Sequence, residues 1–231
     1  LKPDAPLTWH APTADAALDL VGADRAVHRR LLEHLLPGPV TFAIEMDAAA
    51  LGAARDRLSV GAGVLDDNAA LALRVPGDDL CRGILSEART TIVGAAAPSA
   101  ATPIDAPSDR DLSDDVRRDV ALLLDAGPTI WRRGSTHVRL RRDGDYEITH
   151  EGALEARQVK RALSRLILFV CSGNTCRSPM AEAIARDAIA QRAAGPIATT
   201  VLSAGVGAYP GMPATDEAIV ALRRLNIEPQ R

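Results

Sequence analysis

Residues 166–189 read LILFV-CSGNTCRS-PMAEAIARDAI, in which an apolar run leads into a polar loop and then into a run with helical spacing. We expect a strand at 166–170, a loop, and a helix with Ser178 as its N-cap and Pro179 as its first residue. The apolar residues of that helix recur with the spacing of one face packed on a sheet: Ala181, Ile184, Ala185, Ala188 and Ile189. The stretch therefore predicts a strand–loop–helix unit of an α/β domain.

The loop, residues 171–178, has the composition of an oxyanion site. Between a strand and a helix N-terminus, unpaired backbone N–H groups converge and the helix dipole adds positive potential. Cys171 opens the loop, and such surroundings lower the pKa of a thiol below its free value of about 8.5, which makes the sulfur nucleophilic. Arg177 closes the loop and offers a planar fork that suits two phosphoryl oxygens. The pattern indicates a cysteine nucleophile facing a bound phosphate group.

These residues resemble the low-molecular-weight protein tyrosine phosphatase family, whose signature V-C-x-G-N-x-C-R-S-P is matched at 170–179. Two later segments, SAG at 203–205 and GMPA at 211–214, are similar to the family's S-A-G and G-x-P-A segments. The resemblance covers about residues 165–231. It implies a hydrolase that forms a phosphocysteine, acts on phosphotyrosine in proteins or on small phosphoesters, and needs no metal or other cofactor.

The resemblance also implies a role for each matched residue. Cys171 would attack phosphorus, Arg177 would stabilise the transition state, and Asn174 and Ser203 would brace the loop. The remaining phosphate-binding positions are Ser172, Gly173, Thr175, Cys176 and Ser178. Two interpretations of Cys176 stay open: a redox partner that traps Cys171 as a reversible disulfide, or a small side chain packed in the loop.

The family's general acid, an aspartate followed by proline, has no counterpart here, because the sequence contains no Asp-Pro pair. Asp216 and Glu217 occupy positions typical of first-turn acids in a helix. General acid catalysis contributes about 10²–10⁴-fold. We therefore expect poor hydrolysis of aryl phosphates with poor leaving groups, from a phosphatase domain that lacks its C-terminal part.

Residues 1–164 alternate between strand-like and helix-like segments, which also predicts an α/β domain. The predicted elements are helices at 24–36, 113–124 with Ser113 as N-cap, and 153–164, strands at 41–44, 71–75 and 90–93, and a hairpin at 135–150 that turns at Asp143-Gly144. We place a domain boundary near residue 164. The expected fold is an α/β domain at 1–164, without its N-terminal part, followed by a partial doubly wound parallel-sheet domain at 165–231.

Composition excludes several classes of function. The chain has 231 residues, 47% of them hydrophobic, and a formal charge of −3, so no strong field attracts nucleic acid or a membrane surface. No apolar run reaches the roughly 18 residues of a membrane span. Three cysteines are too few for a disulfide framework and favour a reducing cytoplasm. The five histidines are scattered, which predicts no metal site.

Within the first domain, individual polar residues have ordinary structural interpretations. His28 and His34 fall on the polar side of the first predicted helix, where we expect both to be solvated. Cys81 falls in a predicted helix at 78–86 and is interpreted as a core residue rather than a nucleophile.

Several short segments of this domain, in order along the chain, resemble the threonylcarbamoyl-adenylate synthases, or YrdC-like family. The family's P-G-P-[LV]-T, V-R-V-P, A-P-S-A-N, E-S-T-V-V-D and R-E-G-A segments are matched by PGPVT at 37–41, LRVP at 73–76, APSA at 97–100, GSTHV at 134–138 and EGA at 151–153. The resemblance implies an α/β fold with a large cavity. It implies a reaction that joins threonine, bicarbonate and ATP, with Mg²⁺, into threonylcarbamoyl-AMP for tRNA modification.

By the same matching, the nucleotide and phosphate pocket of the first domain is expected to be lined by Arg74, Ser99, Ser135 and Thr136. Two departures from the family pattern bear on activity. Ala101 stands where the family has asparagine, and a T-x-x-V-Y-G segment is missing. The alternatives are an active nucleotidyltransferase and a substrate-free scaffold for the phosphatase.

Other functions stay open at this point. One alternative function is a nucleotide- or double-stranded-RNA-binding module whose phosphatase part is inactive. In that case RNA phosphates would be contacted by the arginines at 132, 133, 139, 141 and 142. The same arginines alternate with Val138 and Leu140, which favours one solvated face of an edge hairpin. Another alternative function is arsenate reduction at Cys171. That reaction needs two further cysteines as a disulfide relay, and this sequence has no cysteine after Cys176.

Overall fold

The computed structural model describes residues 6–67, 70–95, 114–124, 126–127, 130–131, 133–192 and 197–228. The chain divides into two compact units, Leu1–Ala162 and Leu163–Arg231. None of the helices in the described ranges has the length and apolar character needed to cross a membrane. Both units combine helices with parallel strand pairs, so the α/β class predicted from the sequence is confirmed.

The first unit contains a mixed seven-stranded sheet with the order β5-β1-β4-β2-β6-β7, in which β3 also pairs with β4. Its strands are β1 Thr8–His10, β2 Val40–Glu45, β3 Asp66–Asp67, β4 Ala70–Arg74, β5 Val93–Gly94, β6 Thr136–Leu140 and β7 Tyr146–His150. Its helices are α1 Ala14–Val21, α2 Ala26–Leu35, α3 Ala48–Leu58, α4 Asp79–Glu87, α5 Asp114–Asp119 and α6 Ala156–Ala162.

The core of the first unit follows from strand alternation. Along β2, buried and half-buried residues alternate, as the two-residue period of a strand requires. Phe42 on β2 pairs with Leu73 on β4 and with Val138 on β6, and Leu73 pairs with Trp9 on β1. These four side chains are buried. They therefore form one continuous apolar row across the central strands.

The predicted apolar face of α2 is confirmed, because Val27, Leu31, Leu32 and Leu35 are all buried. The prediction for His28 is wrong: its side chain is buried, whereas His34 is exposed. The His28 Nε2 atom lies 3.1 Å from the backbone carbonyl oxygen of Asp145. A buried imidazole is stable when its ring nitrogen has a hydrogen-bond partner, and this contact joins α2 to the β6–β7 turn.

The predicted hairpin is confirmed as the antiparallel pair β6–β7. Val138 and Leu140 are buried on its inner face. Gly144 has φ +96°, a left-handed conformation that glycine adopts at no steric cost, which explains why the turn falls at Asp143-Gly144. In the predicted strand at 90–93, only Val93 has strand pairing. Thr91 instead donates its hydroxyl proton to the Leu58 carbonyl oxygen at the end of α3.

The other helices of the first unit are shorter than predicted or displaced. Helix α5 ends at Asp119, and residues 120–124 are exposed, so no burial stabilises a further turn. Ser113 lies outside the described residues. Helix α6 begins at Ala156, after the Glu155 N–H donates to Gln158 Oε1. Cys81 lies on α4 as expected and is half-buried, and burial raises the pKa of its thiol.

The second unit is built from the predicted strand–loop–helix stretch and a second strand and helix. Its elements are β8 Arg165–Cys171, α7 Arg177–Ala190, β9 Thr199–Gly205 and α8 Asp216–Arg224. Strands β8 and β9 are parallel and in register from Arg165 opposite Thr199 to Cys171 opposite Gly205. The parallel arrangement predicted for this unit is confirmed, and both strands end at the same edge of the sheet.

Two details of α7 differ from the sequence prediction. The helix begins at Arg177 with Cys176 as its N-cap residue, so Ser178 is not the cap. Pro179 is the third helical residue, where its missing N–H is one that the helix cannot pair in any case. On the predicted apolar face, Ile184, Ala188 and Ile189 are exposed. They are exposed because the two paired strands, about 5 Å apart, cover only part of a helix that is about 10 Å wide.

Candidate active site

Cys171 lies at the carboxyl end of β8, where the chain turns into the loop that precedes α7. The backbone N–H of Asn174 donates a hydrogen bond to the Cys171 sulfur at 3.2 Å, and the Ser178 hydroxyl lies 3.0 Å from the same atom. The predicted convergence of loop groups on the sulfur is therefore present in the structure. The sulfur thus faces one donor from the middle of the loop and one from its end.

These donors explain the acidity of the thiol. The hydrogen bond from the Ser178 side chain, followed by backbone N–H groups of Ser178, Asn174 and Gly173, lowers the pKa of Cys171 to about 7. Partial removal from water acts in the opposite direction and is outweighed. A large fraction of the sulfur is thus anionic near neutral pH, as a nucleophile requires.

The Ser178 hydroxyl is the centre of this network and is buried. Besides the sulfur, it contacts Asn174 Oδ1 at 2.7 Å and the Ala204 carbonyl oxygen at 3.2 Å. A hydroxyl has one proton to donate, so these contacts are alternatives. When Cys171 is a thiolate, Ser178 donates to the sulfur. When Cys171 is a thiol, the S–H can donate to Ser178 Oγ, and the hydroxyl turns to Asn174.

The backbone of the loop is held in an unusual conformation beside β9. Asn174 has φ +52°, in the left-handed region that asparagine tolerates better than most residues. Gly205, at the end of β9, lies so close that an added Cβ would be 2.7 Å from Asn174 N and 2.9 Å from Gly173 C. The glycine of the S-A-G segment is therefore required by close packing, because only a residue without a side chain fits between β9 and the loop.

We expect Gly205→Ala to lower kcat/KM for an aryl phosphate by about 10²-fold, because the new methyl group displaces the Asn174 N–H from the sulfur and small misplacements are costly in catalysis. Gly207→Ala is the matched control, since its added Cβ has only an ordinary contact, 3.6 Å from the Ser172 carbonyl oxygen. The measurement is steady-state hydrolysis by both folded variants. Equal activities would contradict the spatial role given to Gly205.

Arg177 is the first residue of α7 and is exposed. Its Nη2 donates to the Ser172 hydroxyl oxygen at 3.3 Å. Among the described residues, Arg177 forms no ion pair with a carboxylate. The guanidinium is therefore at the rim of the loop with its charge available to an anion.

Neighbouring segments support the loop from the other side, a feature that the motif did not predict. The Val206 N–H donates to the Cys171 carbonyl oxygen at 3.0 Å, and the Thr215 N–H donates to the Thr175 carbonyl oxygen at 2.7 Å. Thr215 is also the N-cap of α8. The residues that follow the S-A-G and G-x-P-A segments thus hold the start and the middle of the loop.

A cavity of about 270 Å³ adjoins the loop and is lined by Gly173, Asn174, Gly205, Tyr209 and Met212, among others. The side chains of Tyr209 and Met212 are 80% and 57% exposed, so they form an outer rim rather than part of the core. The cavity thus lies beside the loop that holds the Cys171 sulfur.

Two further residues that the resemblance singled out have less direct positions. Ser203 lies in β9 opposite Phe169, and in the described structure the bond that braces the loop comes from Ser178 instead. All three cysteines are free; Cys176 is exposed, whereas Cys171 and Cys81 are half-buried. The disulfide and packing interpretations of Cys176 both remain predictions.

In the first unit, Ser99 and Ala101 lie outside the described residues. Thr136 is fully buried, and its hydroxyl donates to the Leu154 carbonyl oxygen at 2.6 Å. The same oxygen accepts from the N–H groups of Gly152 and Leu154 at 3.1 and 2.8 Å. These bonds use all the hydrogen-bonding capacity of a hydroxyl. Thr136 fixes the EGA segment against β6, next to Ser135, and its expected contact with a nucleotide stays a prediction.

Arg74 is half-buried at the end of β4, and its Nε atom has no hydrogen-bond partner. Burial lowers the pKa of the guanidinium. Since Arg74 forms no ion pair with a carboxylate in the described parts of the chain, it is a partly desolvated cation without a countercharge. Such a group favours a bound anion.

The hairpin arginines are largely paired. Arg139 Nε lies 2.7 Å from Glu45 Oε1, and Arg141 Nη2 lies 2.5 Å from Glu147 Oε2. Arg132 is outside the described residues. The ion pairs reduce the positive charge that this face of the hairpin would offer to RNA phosphates.

No group of three or more histidine, cysteine or acidic side chains within the described ranges is arranged to hold a metal ion.

The geometry of the second unit defines a class of protein. A parallel β–loop–α unit with a cysteine sulfur among backbone N–H groups, and an arginine at the following helix N-terminus, is typical of phosphatases that use cysteine as nucleophile. Residues 166–230 match the family model for low molecular weight phosphotyrosine protein phosphatases. Residues 1–152 match the Sua5/YciO/YrdC model, described as telomere recombination. Because this match covers 152 of the 231 residues, the chain belongs to the Sua5/YciO/YrdC family.

Comparison with individual proteins separates the two units in the same way. The second unit is similar to the probable low molecular weight protein-tyrosine-phosphatase EpsP of Ralstonia solanacearum, with 41% identity over 28% of this chain and 39% of that protein. It is also similar to the protein-arginine-phosphatase of Bacillus subtilis, with 54% identity over 24% of this chain and 35% of that protein. The chain thus spans well under half the length of these relatives.

Among solved structures, a variant of Sua5 from P. abyssi aligns with 97% of this chain and 71% of its own, with a TM-score of 0.54 and 15% identity. At that identity the match concerns the fold alone. The chain therefore combines a Sua5/YrdC unit with a low molecular weight phosphatase unit, as both sequence resemblances predicted.

Proposed function

We propose that the second unit is a cysteine-dependent phosphatase that acts on phosphotyrosine in proteins or on small aryl phosphoesters. The observation that supports this most strongly is the Cys171 sulfur, held by Ser178 and Asn174 with its pKa lowered to about 7. Backbone donors and Arg177 suit the oxygens of a phosphate group, so the site needs no metal ion.

In the proposed reaction, the Cys171 thiolate attacks phosphorus, the S–P bond forms, and the P–O bond to the leaving group breaks. Arg177 stabilises the negative charge on the equatorial oxygens of the transition state. Water then attacks the phosphocysteine and its oxygen bonds to phosphorus, while a water proton passes to solvent. The S–P bond breaks, its electron pair returns to sulfur, and inorganic phosphate leaves. Ser178 stabilises the departing thiolate by donating its hydroxyl proton in a hydrogen bond, as it does in the free protein.

The experiment that tests the proposal is trapping of the intermediate. After rapid acid quenching with p-nitrophenyl phosphate, the phosphoryl group should be found on Cys171 by peptide mass spectrometry. Vanadate should compete with the substrate. Turnover without a phosphoryl group on Cys171 would contradict the mechanism.

The rate should depend strongly on the leaving group. None of the described hydrogen bonds or ion pairs brings a carboxylate to the loop, and general acid catalysis is worth about 10²–10⁴-fold. We expect kcat/KM for p-nitrophenyl phosphate to exceed that for phenyl phosphate by about 10²-fold. Similar values for the two esters would show that another group supplies the proton.

A phosphorylated arginine is the alternative substrate, because one relative is named a protein-arginine-phosphatase. Its P–N bond breaks readily once the nitrogen is protonated by solvent, so this substrate depends less on a protein acid. Parallel assays on peptides with phosphotyrosine or phosphoarginine decide between the two classes.

We propose threonylcarbamoyl-AMP synthesis from threonine, bicarbonate and ATP, with Mg²⁺, as a second function for the first unit. Family membership supports it, as does the Arg74 cation, which forms no ion pair with any carboxylate in the described parts of the chain. Pyrophosphate release that requires threonine and bicarbonate is the test, and its absence from the full chain would favour the scaffold interpretation.

Binding of double-stranded RNA is the remaining alternative, assayed by a gel shift. All these activities suit the cytoplasm, where thiols stay reduced.

A further inference from the structure

A guanidinium from the middle of α7 is bonded to the backbone of β9. Arg186 Nε and Nη2 both donate to the Val201 carbonyl oxygen, at 3.2 and 2.9 Å. Val201 is buried, and buried carbonyl groups are almost always paired with a donor. In the described part of the second unit, β9 has β8 as its one neighbouring strand. Arg186 thus adds two side-chain donors to the strand that supports the catalytic loop.

Glu182 orients this guanidinium. It lies one helical turn before Arg186 on α7, and its Oε1 atom lies 2.6 Å from Arg186 Nη2. The side chains of Glu182 and Arg186 are 19% and 35% exposed, so neither is a freely solvated surface charge. Carboxylate and guanidinium groups at this helical spacing attract each other. The pair therefore holds Arg186 in the conformation that reaches the Val201 carbonyl.

A second contact joins the same helix and strand beside the loop. Ser178 Oγ lies 3.2 Å from the Ala204 carbonyl oxygen. From Ser178 to Arg186 the helix rises about 12 Å, at about 1.5 Å per residue. From Ala204 back to Val201 the strand spans about 10 Å, at about 3.3 Å per residue. The two connections thus match in spacing and join α7 to β9 at two points along their length.

The two connections differ in the reactive form of the site. When Cys171 is a thiolate, Ser178 gives its proton to the sulfur and can no longer donate it to the Ala204 carbonyl oxygen. The Arg186 guanidinium is always protonated, so its bonds to Val201 do not depend on the state of the sulfur. In the thiolate form, Arg186 therefore carries the hydrogen-bonded connection between α7 and β9.

We propose that Arg186 is a positioning residue for the catalytic loop, which it reaches through the Val201 carbonyl and β9. With β9 fixed against α7, Gly205 stays behind the loop, and the Asn174 N–H on which it packs stays directed at the sulfur. The inference rests on the phosphatase function proposed above. It gives a role in that function to a residue outside the matched signature at 170–179.

Arg186→Met tests the inference, because methionine keeps an unbranched apolar stem and removes both donors. We expect kcat/KM for p-nitrophenyl phosphate to fall about tenfold, since small misplacements of reacting groups are costly. The pKa of Cys171, measured by alkylation without substrate, should rise by at least about 0.5 unit, because the hydrogen bonds that lower it weaken. A residue that only stabilises the fold would lower the melting temperature without changing that pKa in the folded protein.

Arg192→Met is the matched control, since Arg192 is an exposed arginine just beyond the end of α7, and it should change neither quantity. Arg186→Lys restores a cationic donor and should recover part of both effects. Circular dichroism verifies that each variant is folded at the assay temperature. Should Arg186→Met fail to fold, Glu182→Gln removes the charge that orients Arg186 and should shift the pKa of Cys171 in the same direction by less.

The pKa of Cys171 decides the outcome. If it is unchanged in a folded Arg186→Met protein, or in Glu182→Gln where that variant replaces it, the positioning role is overturned whatever happens to turnover. The phosphatase function survives that result, since it is judged on the unsubstituted chain. An unsubstituted chain that forms no phosphocysteine would instead overturn both.

Discussion

Replacing Cys171 with serine is expected to reduce phosphate-ester hydrolysis by at least about 10³-fold while oxyanion binding persists. The loss follows because a serine hydroxyl stays protonated where the thiol has a pKa of about 7, and removal of a nucleophile commonly costs this much or more. Binding persists because the backbone donors and Arg177 do not depend on the sulfur. Steady-state assays and vanadate calorimetry on the same preparation measure the two effects.

Cys81→Ser is the matched control, since Cys81 belongs to the first unit and is also a free thiol. Its activity should equal that of the unsubstituted chain. Substantial turnover by Cys171→Ser, with the fold intact, would assign the nucleophile to another group.

Replacing Arg177 with lysine should lower kcat/KM by about 10²–10³-fold, the usual cost of losing one preorganised donor to a developing anion. Lysine keeps the charge but not the planar fork that holds two oxygens at once. The comparison is with Arg192→Lys, an exposed arginine just beyond the other end of α7, which should have unchanged kinetics. If both variants kept full activity, charge alone near the loop would explain catalysis.

The strand, loop and helix around Cys171 could be predicted because apolar spacing and the Cys-to-Arg spacing are local properties. The start of α7 could not. Ser178 is a good N-cap residue by type, but its hydroxyl is used by the Cys171 sulfur and by Asn174. Tertiary partners of a single hydroxyl decided the helix start.

Exposure was harder to predict than periodicity. The spacing of Ile184 and Ile189 gives an apolar face, yet it contains no information on how wide a sheet that face meets. The same holds for His28, whose position on the polar side of the helix predicts solvation. Its side chain is buried, and its ring nitrogen contacts a carbonyl oxygen from a turn far along the chain.

The first-unit site shows the limit of motif matching. Motif matching gave Arg74 and Thr136 the same expected role. In the described structure, however, the buried Arg74 Nε atom has no hydrogen-bond partner, whereas the Thr136 hydroxyl has every hydrogen-bonding position filled by backbone groups.

The most direct test of the account is the pKa of Cys171 itself, obtained from the pH dependence of alkylation followed peptide by peptide, which separates Cys171 from Cys81 and Cys176. A value of about 7 is expected. Ser178→Ala should raise it toward the ordinary value of about 8.5, whereas Ser172→Ala, whose hydroxyl contacts Arg177, should leave it in place. A Cys171 that titrates near 8.5 in the unsubstituted chain would contradict the proposed thiolate nucleophile.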